Sequence, residues 1–117
     1  VSRSWQLFLR DMLESAVKVE RFTSGLELAQ FLANEMLYDA VLRNLELLGE
    51  AAKRVPDEVR GRYPSVDWRG IASLRDVLAH SYFALDDETL WRIVSEDVRR
   101  LRPELDRIAH ENPLDLP

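Results

Sequence analysis

The sequence predicts an all-α protein, an up-and-down four-helix bundle with one short extra helix. Three features predict it. Apolar residues recur at spacings of three and four through most of the chain, as the inward stripe of a helix does. No stretch alternates apolar with polar at period two, and no hairpin turn signal or internal repeat interrupts the helical pattern. Proline and glycine punctuate the periodic segments, leaving short connectors that suit antiparallel neighbours.

The first helix is expected over residues 4–23. Trp5, Leu9, Met12, Ala16 and Val19 form its stripe, widened by Phe8, Leu13 and Phe22. Ser24-Gly25-Leu26-Glu27 then reads as a capping box, Ser24 capping a short helix and Glu27 reaching back. That helix would carry Leu28, Phe31 and Leu32 inward before Asn34. A long helix follows from Glu35 to Val55, with Leu37, Val41, Leu45, Leu48, Ala52 and Val55 toward the core. Gly49 inside it costs about 1 kcal/mol of helix stability relative to Ala; it reads as permitting close approach of another helix, the alternative being that it packs against nothing in particular. Arg43, Glu46, Glu50 and Lys53 form an adjoining polar edge. Such an edge serves either as a solvent face laced by ion pairs or as the lining of a site.

Pro56 stops the long helix, Asp57 to Arg60 make one turn, and Gly61, Pro64 and Ser65 mark a loop. Asp67 is placed to cap the next helix, with Trp68 buried at its start. After a break at residues 84–88, Asp86, Asp87 and Glu88 sit where a helix N-terminus favours negative charge. The final helix turns Leu90, Val94, Leu101, Leu105 and Ile108 inward, and Pro103 is expected to kink or split it. Residues 113–117 read as a frayed tail.

A length of 117 residues suits one domain, residues 1–117. Without cysteine there are no disulfides and no thiolate metal sites, and with two histidines no recognisable zinc set remains. No apolar run spans a bilayer, and Arg3, Arg10 and Asp11 interrupt the apolar core a secretion signal would need. A cytoplasmic protein without a membrane partner is the expectation. The net charge of −5 argues mildly against a nucleic-acid coat protein. Yet 14 of the 16 basic residues are Arg, whose planar fork suits bidentate phosphate contacts. From Lys53 to Arg75, six basic residues face three acids, either a local phosphate-facing patch or simply solvated charge.

The chemistry concentrates in Ser73–Phe83, which holds Arg75, Asp76, His80 and Tyr82. On an ideal helix His80 lies about 140° around from Arg75. Service to one substrate therefore needs the helix to bend or end near His80, or a second copy of the chain to complete the site. By spacing alone, His80 also fits a cap or packing residue at a helix end, and Tyr82 a half-buried aromatic.

This arrangement of Arg, Asp, three residues, His, one residue and Tyr resembles the signature of the HEPN superfamily and of its HepT-like branch, in which Asn, Asp or His follows the Arg. The likeness extends through Asp39–Glu46 and Gly49–Arg54, through Tyr63-Pro64 with Asp67-Trp68-Arg69, and through Leu90-Trp91 with Ile93-Val94. It covers nearly the whole chain. The resemblance implies a helical bundle that works as a homodimer and a metal-independent ribonuclease needing no cofactor. By position it makes Arg75 and His80 the catalytic pair and Asp76 their polar support. It further implies a toxin of a toxin–antitoxin pair, neutralised by a minimal nucleotidyltransferase, MntA, that adenylylates the motif tyrosine, here Tyr82. Arg43, Glu46 and Glu50 are candidates for the site lining.

The residues permit that chemistry and disfavour others. There is no Gly-rich phosphate loop followed by Lys and Ser or Thr, and no serine nucleophile elbow. Arg with His suits phosphodiester cleavage of RNA: His moves protons near neutral pH, Arg stabilises charge on the phosphorane, and the 2′-hydroxyl is the nucleophile. The alternative is a catalytically idle helical subunit that binds a nucleotidyltransferase or a nucleotide.

Overall fold

The computed structural model describes residues 4–80 and 86–114, Ala79 and His80 by backbone alone. The described residues form helices and no strand. In chain order they are α1 (Trp5–Thr23), α2 (Leu28–Ala33), α3 (Glu35–Lys53), α4 (Asp57–Arg62), α5 (Trp68–His80), α6 (Asp87–Arg92) and α7 (Val98–Glu111). A π-helical turn, Ile93–Asp97, joins the last two. The four-helix bundle is thus built from α1, α3, α5 and the composite α6–α7, with α2 as the expected short extra helix and α4 as a second one in place of the expected single turn.

The periodic stripes become the core. Leu9, Met12, Ala16 and Val19 of α1 are fully buried, as are Val41, Leu45, Leu48 and Ala52 of α3 and Val94, Leu105 and Ile108 beyond them. Trp5, Phe8, Leu13 and Phe22 flank this core half-buried, and so do Leu37 and Leu101. Helix α1 lies centrally, between α3 and α7, while α5 packs chiefly on α3.

Several local expectations change. Ser24 does not cap α2; it closes α1, and Gly25 follows at φ +76°, a left-handed turn open to glycine without penalty. With the chain still reversing at Gly25, the cap shifts further along. Glu27 becomes the N-cap and Gln30 its reciprocal partner, Gln30 Oε1 accepting from Glu27 N at 2.8 Å. That placement buries Phe31 fully and leaves Leu32 38% exposed, so Leu32 is not a core residue. Helix α3 ends at Lys53 rather than Val55, although Val55 stays buried in the tightened exit. The composite helix divides, but at the π turn and not at Pro103, which sits inside α7. Pro103 is exposed, so the Arg99 carbonyl that loses its amide partner lies where water can replace it.

Gly49 brings α3 and α5 together. A Cβ at this position would lie 2.8 Å from the Ile71 carbonyl oxygen and 3.0 Å from the Arg75 amide nitrogen, both backbone atoms. The neighbouring helix cannot yield by turning a side chain. Gly49→Ala is therefore expected to destabilise by about 1–2 kcal/mol, overpacking outweighing the gain in helix propensity. Gly61→Ala, whose added methyl would meet nothing within 4 Å, should instead stabilise slightly. Urea unfolding of the two variants checks both signs.

Candidate active site

Helix α5 is set in place at its N-terminal end. Asp67 Oδ1 accepts from the Gly70 amide at 3.1 Å, the expected cap, and Trp68 is 7% exposed with its indole Nε1 donating to the Tyr63 carbonyl at 3.0 Å. The preceding loop is tied to α7: Ser65 Oγ donates to Glu104 at 3.1 Å, and Asn112 Nδ2 donates to the Tyr63 hydroxyl at 2.9 Å. Toward the other end of α5, support comes from α3 across Gly49.

There the charged residues meet. Glu50 Oε2 lies 3.4 Å from Arg75 Nε, and its Oε1 lies 3.4 Å from Arg54 Nη2. Lys53 Nζ is 3.4 Å from both Asp76 oxygens, and Asp76 Oδ1 is 3.6 Å from Arg75 Nη1. The result is a continuous chain of opposite charges, Arg54–Glu50–Arg75–Asp76–Lys53, running from α3 to α5 and back. Arg75 and Asp76 remain about half exposed, so the guanidinium is accessible to a solute phosphate.

Of the residues singled out in the sequence, Arg75, Asp76 and Glu50 are brought together. Arg43 and Glu46 pair with each other at 3.6 Å, and neither comes within ion-pair distance of Arg75 or Asp76. Lys53 joins the cluster although the motif does not contain it. Its signal was its place three residues after Glu50, on the same helical face. His80 is the last residue of α5; its side chain, and Tyr82 entirely, lie outside the described residues. Among the described residues, no group of three or more His, Asp or Glu is placed to hold a metal ion, and no helix is long and apolar enough to cross a membrane.

On its other side α5 borders a groove of about 590 Å³ shared with the π turn and α7. Ile71, Leu74 and Val77 face it from α5, Ile93 and Leu101 from the opposite wall, and Arg92, Asp97, Arg100 and Glu104 add polar lining. Ile71, Ile93 and Leu101 are only half-buried.

A family model described as ribonuclease HepT-like matches residues 12–108. The Methanocaldococcus jannaschii protein named "Putative RNase MJ1380" is 39% identical over 104 residues, covering 89% of this chain and 95% of that protein. The Thermococcus cleftensis protein named "Probable ribonuclease HepT" is 34% identical over 108 residues, 92% of this chain and 98% of its own. No solved structure gives a significant match.

Beyond the motif, Asp86 caps α6, its Oδ1 accepting from the Thr89 amide at 2.7 Å. The Thr89 backbone hydrogen bond, above all, holds this carboxyl below its ordinary value of 3.8. A depressed carboxylate stabilises the fold fully above its unfolded-state pKa and loses that contribution as pH falls through the lower folded-state value. Asp86→Ala should accordingly lower Tm at neutral pH, with the gap to wild type closing on acidification below pH 3.8. Thermal melts across an acid series measure it.

Proposed function

The chain belongs to the ribonuclease HepT-like family, and from that premise we propose that it is a metal-independent endoribonuclease whose site is completed by a homodimer. The observation that carries this reading is the accessible Arg75–Asp76 pair held on α5 by α3. A half-exposed guanidinium, fixed on a rigid element and supported by a carboxylate, is suited to a phosphodiester gaining negative charge.

Two features support the homodimer. Helix α5 continues to His80, so the position of His80 stays about 140° around from that of Arg75. One helix therefore does not aim both residues at one phosphate, whereas two copies facing each other supply two of each. The apolar side chains of Ile71, Leu74 and Val77 along the open groove also offer a face for a second copy.

In the proposed reaction the RNA 2′-oxygen attacks phosphorus while the bond to the 5′-oxygen breaks. One His80 accepts the 2′-hydroxyl proton and the other donates a proton to the departing oxygen. Arg75 stabilises the charge on the phosphorane, and Asp76 orients it. The products are a 2′,3′-cyclic phosphate and a 5′-hydroxyl. We further propose that the protein is the toxin of a toxin–antitoxin pair. Its antitoxin is a minimal nucleotidyltransferase that joins AMP from ATP to the Tyr82 hydroxyl and releases pyrophosphate. The added bulk and negative charge then stand beside a site that must receive a phosphate.

Purified protein incubated with total RNA and a chelator should produce fragments with cyclic-phosphate ends. His80→Ala and Arg75→Ala should each reduce cleavage by about 100-fold or more. Chelator-abolished activity, or fragments ending in 3′-hydroxyls, would overturn the mechanism, and intact RNA would return the chain to the role of an idle partner subunit. With a cognate nucleotidyltransferase and ATP, intact-mass analysis should show one added AMP, lost in Tyr82→Phe.

A further inference from the structure

We propose that Glu50 is a positioning residue for Arg75, acting from α3 as the fixed end of a two-residue charge clamp completed by Lys53. This rests on the ribonuclease reading and adds to it a residue outside the Arg–His motif.

The clamp is a match of register. Glu50 and Lys53 project from one face of α3, one turn apart, and Arg75 and Asp76 are neighbours on α5. Acid then base on α3 meets base then acid on α5, with both inter-helix contacts at 3.4 Å. Gly49, beside Glu50, is a point of close backbone approach, so the contacts form where the two helices are least able to drift apart.

Arginine carries five N–H donors in a planar fork on a flexible stem. A carboxylate at ion-pair distance from Nε favours one orientation of that plane. Glu50 pairs with the guanidinium at Nε, 3.4 Å away, and Asp76 stands against Nη1 at 3.6 Å. Glu50 is itself held from behind by Arg54, which opposes its swinging away from Arg75. All of these side chains are a third or more exposed, and exposed ion pairs contribute little to folding stability. Their consequence is geometry, not cohesion.

The test compares wild type, Glu50→Gln, Glu50→Asp and Arg75→Ala in steady-state cleavage of a short RNA. Glu50→Gln should lower kcat about 10- to 100-fold, with KM shifting less than about threefold and Tm nearly unchanged, because misplacing a transition-state contact falls on kcat. Glu50→Asp, which keeps the charge on a shorter stem, should recover part of the loss. A second readout needs no activity: the ¹H–¹⁵N signal of Arg75 Nε, assigned by its disappearance in Arg75→Lys, should shift and exchange faster with water in Glu50→Gln. If wild type cleaves, Arg75→Ala does not, and Glu50→Gln retains full kcat, the positioning role is wrong and the ribonuclease reading stands. If wild type is inert, the ribonuclease reading falls. The Nε signal then still decides whether Glu50 holds Arg75, an unchanged signal overturning the clamp as well.

Discussion

The contact on which the structure turns is the approach of α3 to α5 at Gly49. No side chain separates the two backbones there, and a single methyl would press on a carbonyl and an amide that have nowhere to go. The charged side chains beside Gly49 reach from α3 to α5 at 3.4 Å, Glu50 to Arg75 and Lys53 to Asp76. Glycine inside a long helix costs about 1 kcal/mol of helix stability. What it permits is a charged cluster in which Arg75 is carried by rigid backbone rather than by a loop.

The same packing explains why the bundle stays open on one side. Helix α1 fills the middle and is covered on two flanks, whereas α5 leans chiefly on α3 and reaches α7 through the loop that precedes it. Its anchored end carries the Trp68 indole and the Asp67 cap. Its far half carries Arg75 and Asp76, which do not line the groove, and it ends on the His80 backbone. A helix with one main neighbour has faces left to offer. A site at such a place accommodates both a polymeric substrate and a second protein surface, as the proposed dimer requires.

Much of this was legible in the chain. The helical period located α1, α3 and the core, since burial of a stripe against its neighbours is what the period encodes. Gly49 was readable as a close-approach position because little else offsets the cost of glycine in the middle of a helix. Asp67 and Trp68 were readable from cap chemistry and size. What escaped was set by tertiary geometry. Ser24 satisfies the capping pattern as well as Glu27 does, and only the left-handed turn at Gly25 decides between them. Pro103 marks a lost hydrogen bond but not its cost, which exposure reduces. The charge clamp needs the register of two helices far apart in sequence, and the spacing within either one does not contain it. Hence Lys53 was visible as part of a polar edge but not as a partner of Asp76.

The charge balance of the cluster bears on how an acidic protein could meet an RNA backbone. Across Arg54, Glu50, Arg75, Asp76 and Lys53 there are three cations and two anions, a local excess of one positive charge on a chain of net charge −5. That excess is small, so long-range attraction cannot be the main source of affinity, and the short Debye length at physiological salt confines the rest of the negative charge. Binding on the proposed reading must then come from close contacts. The loosest link is the 3.6 Å approach of Asp76 to Arg75, and Asp76 has Lys53 as a second cation. On that reading an arriving phosphate would meet a guanidinium already paired with Glu50 and Asp76, the latter shared with Lys53. In a site wired in this way the guanidinium need not be reoriented in the process.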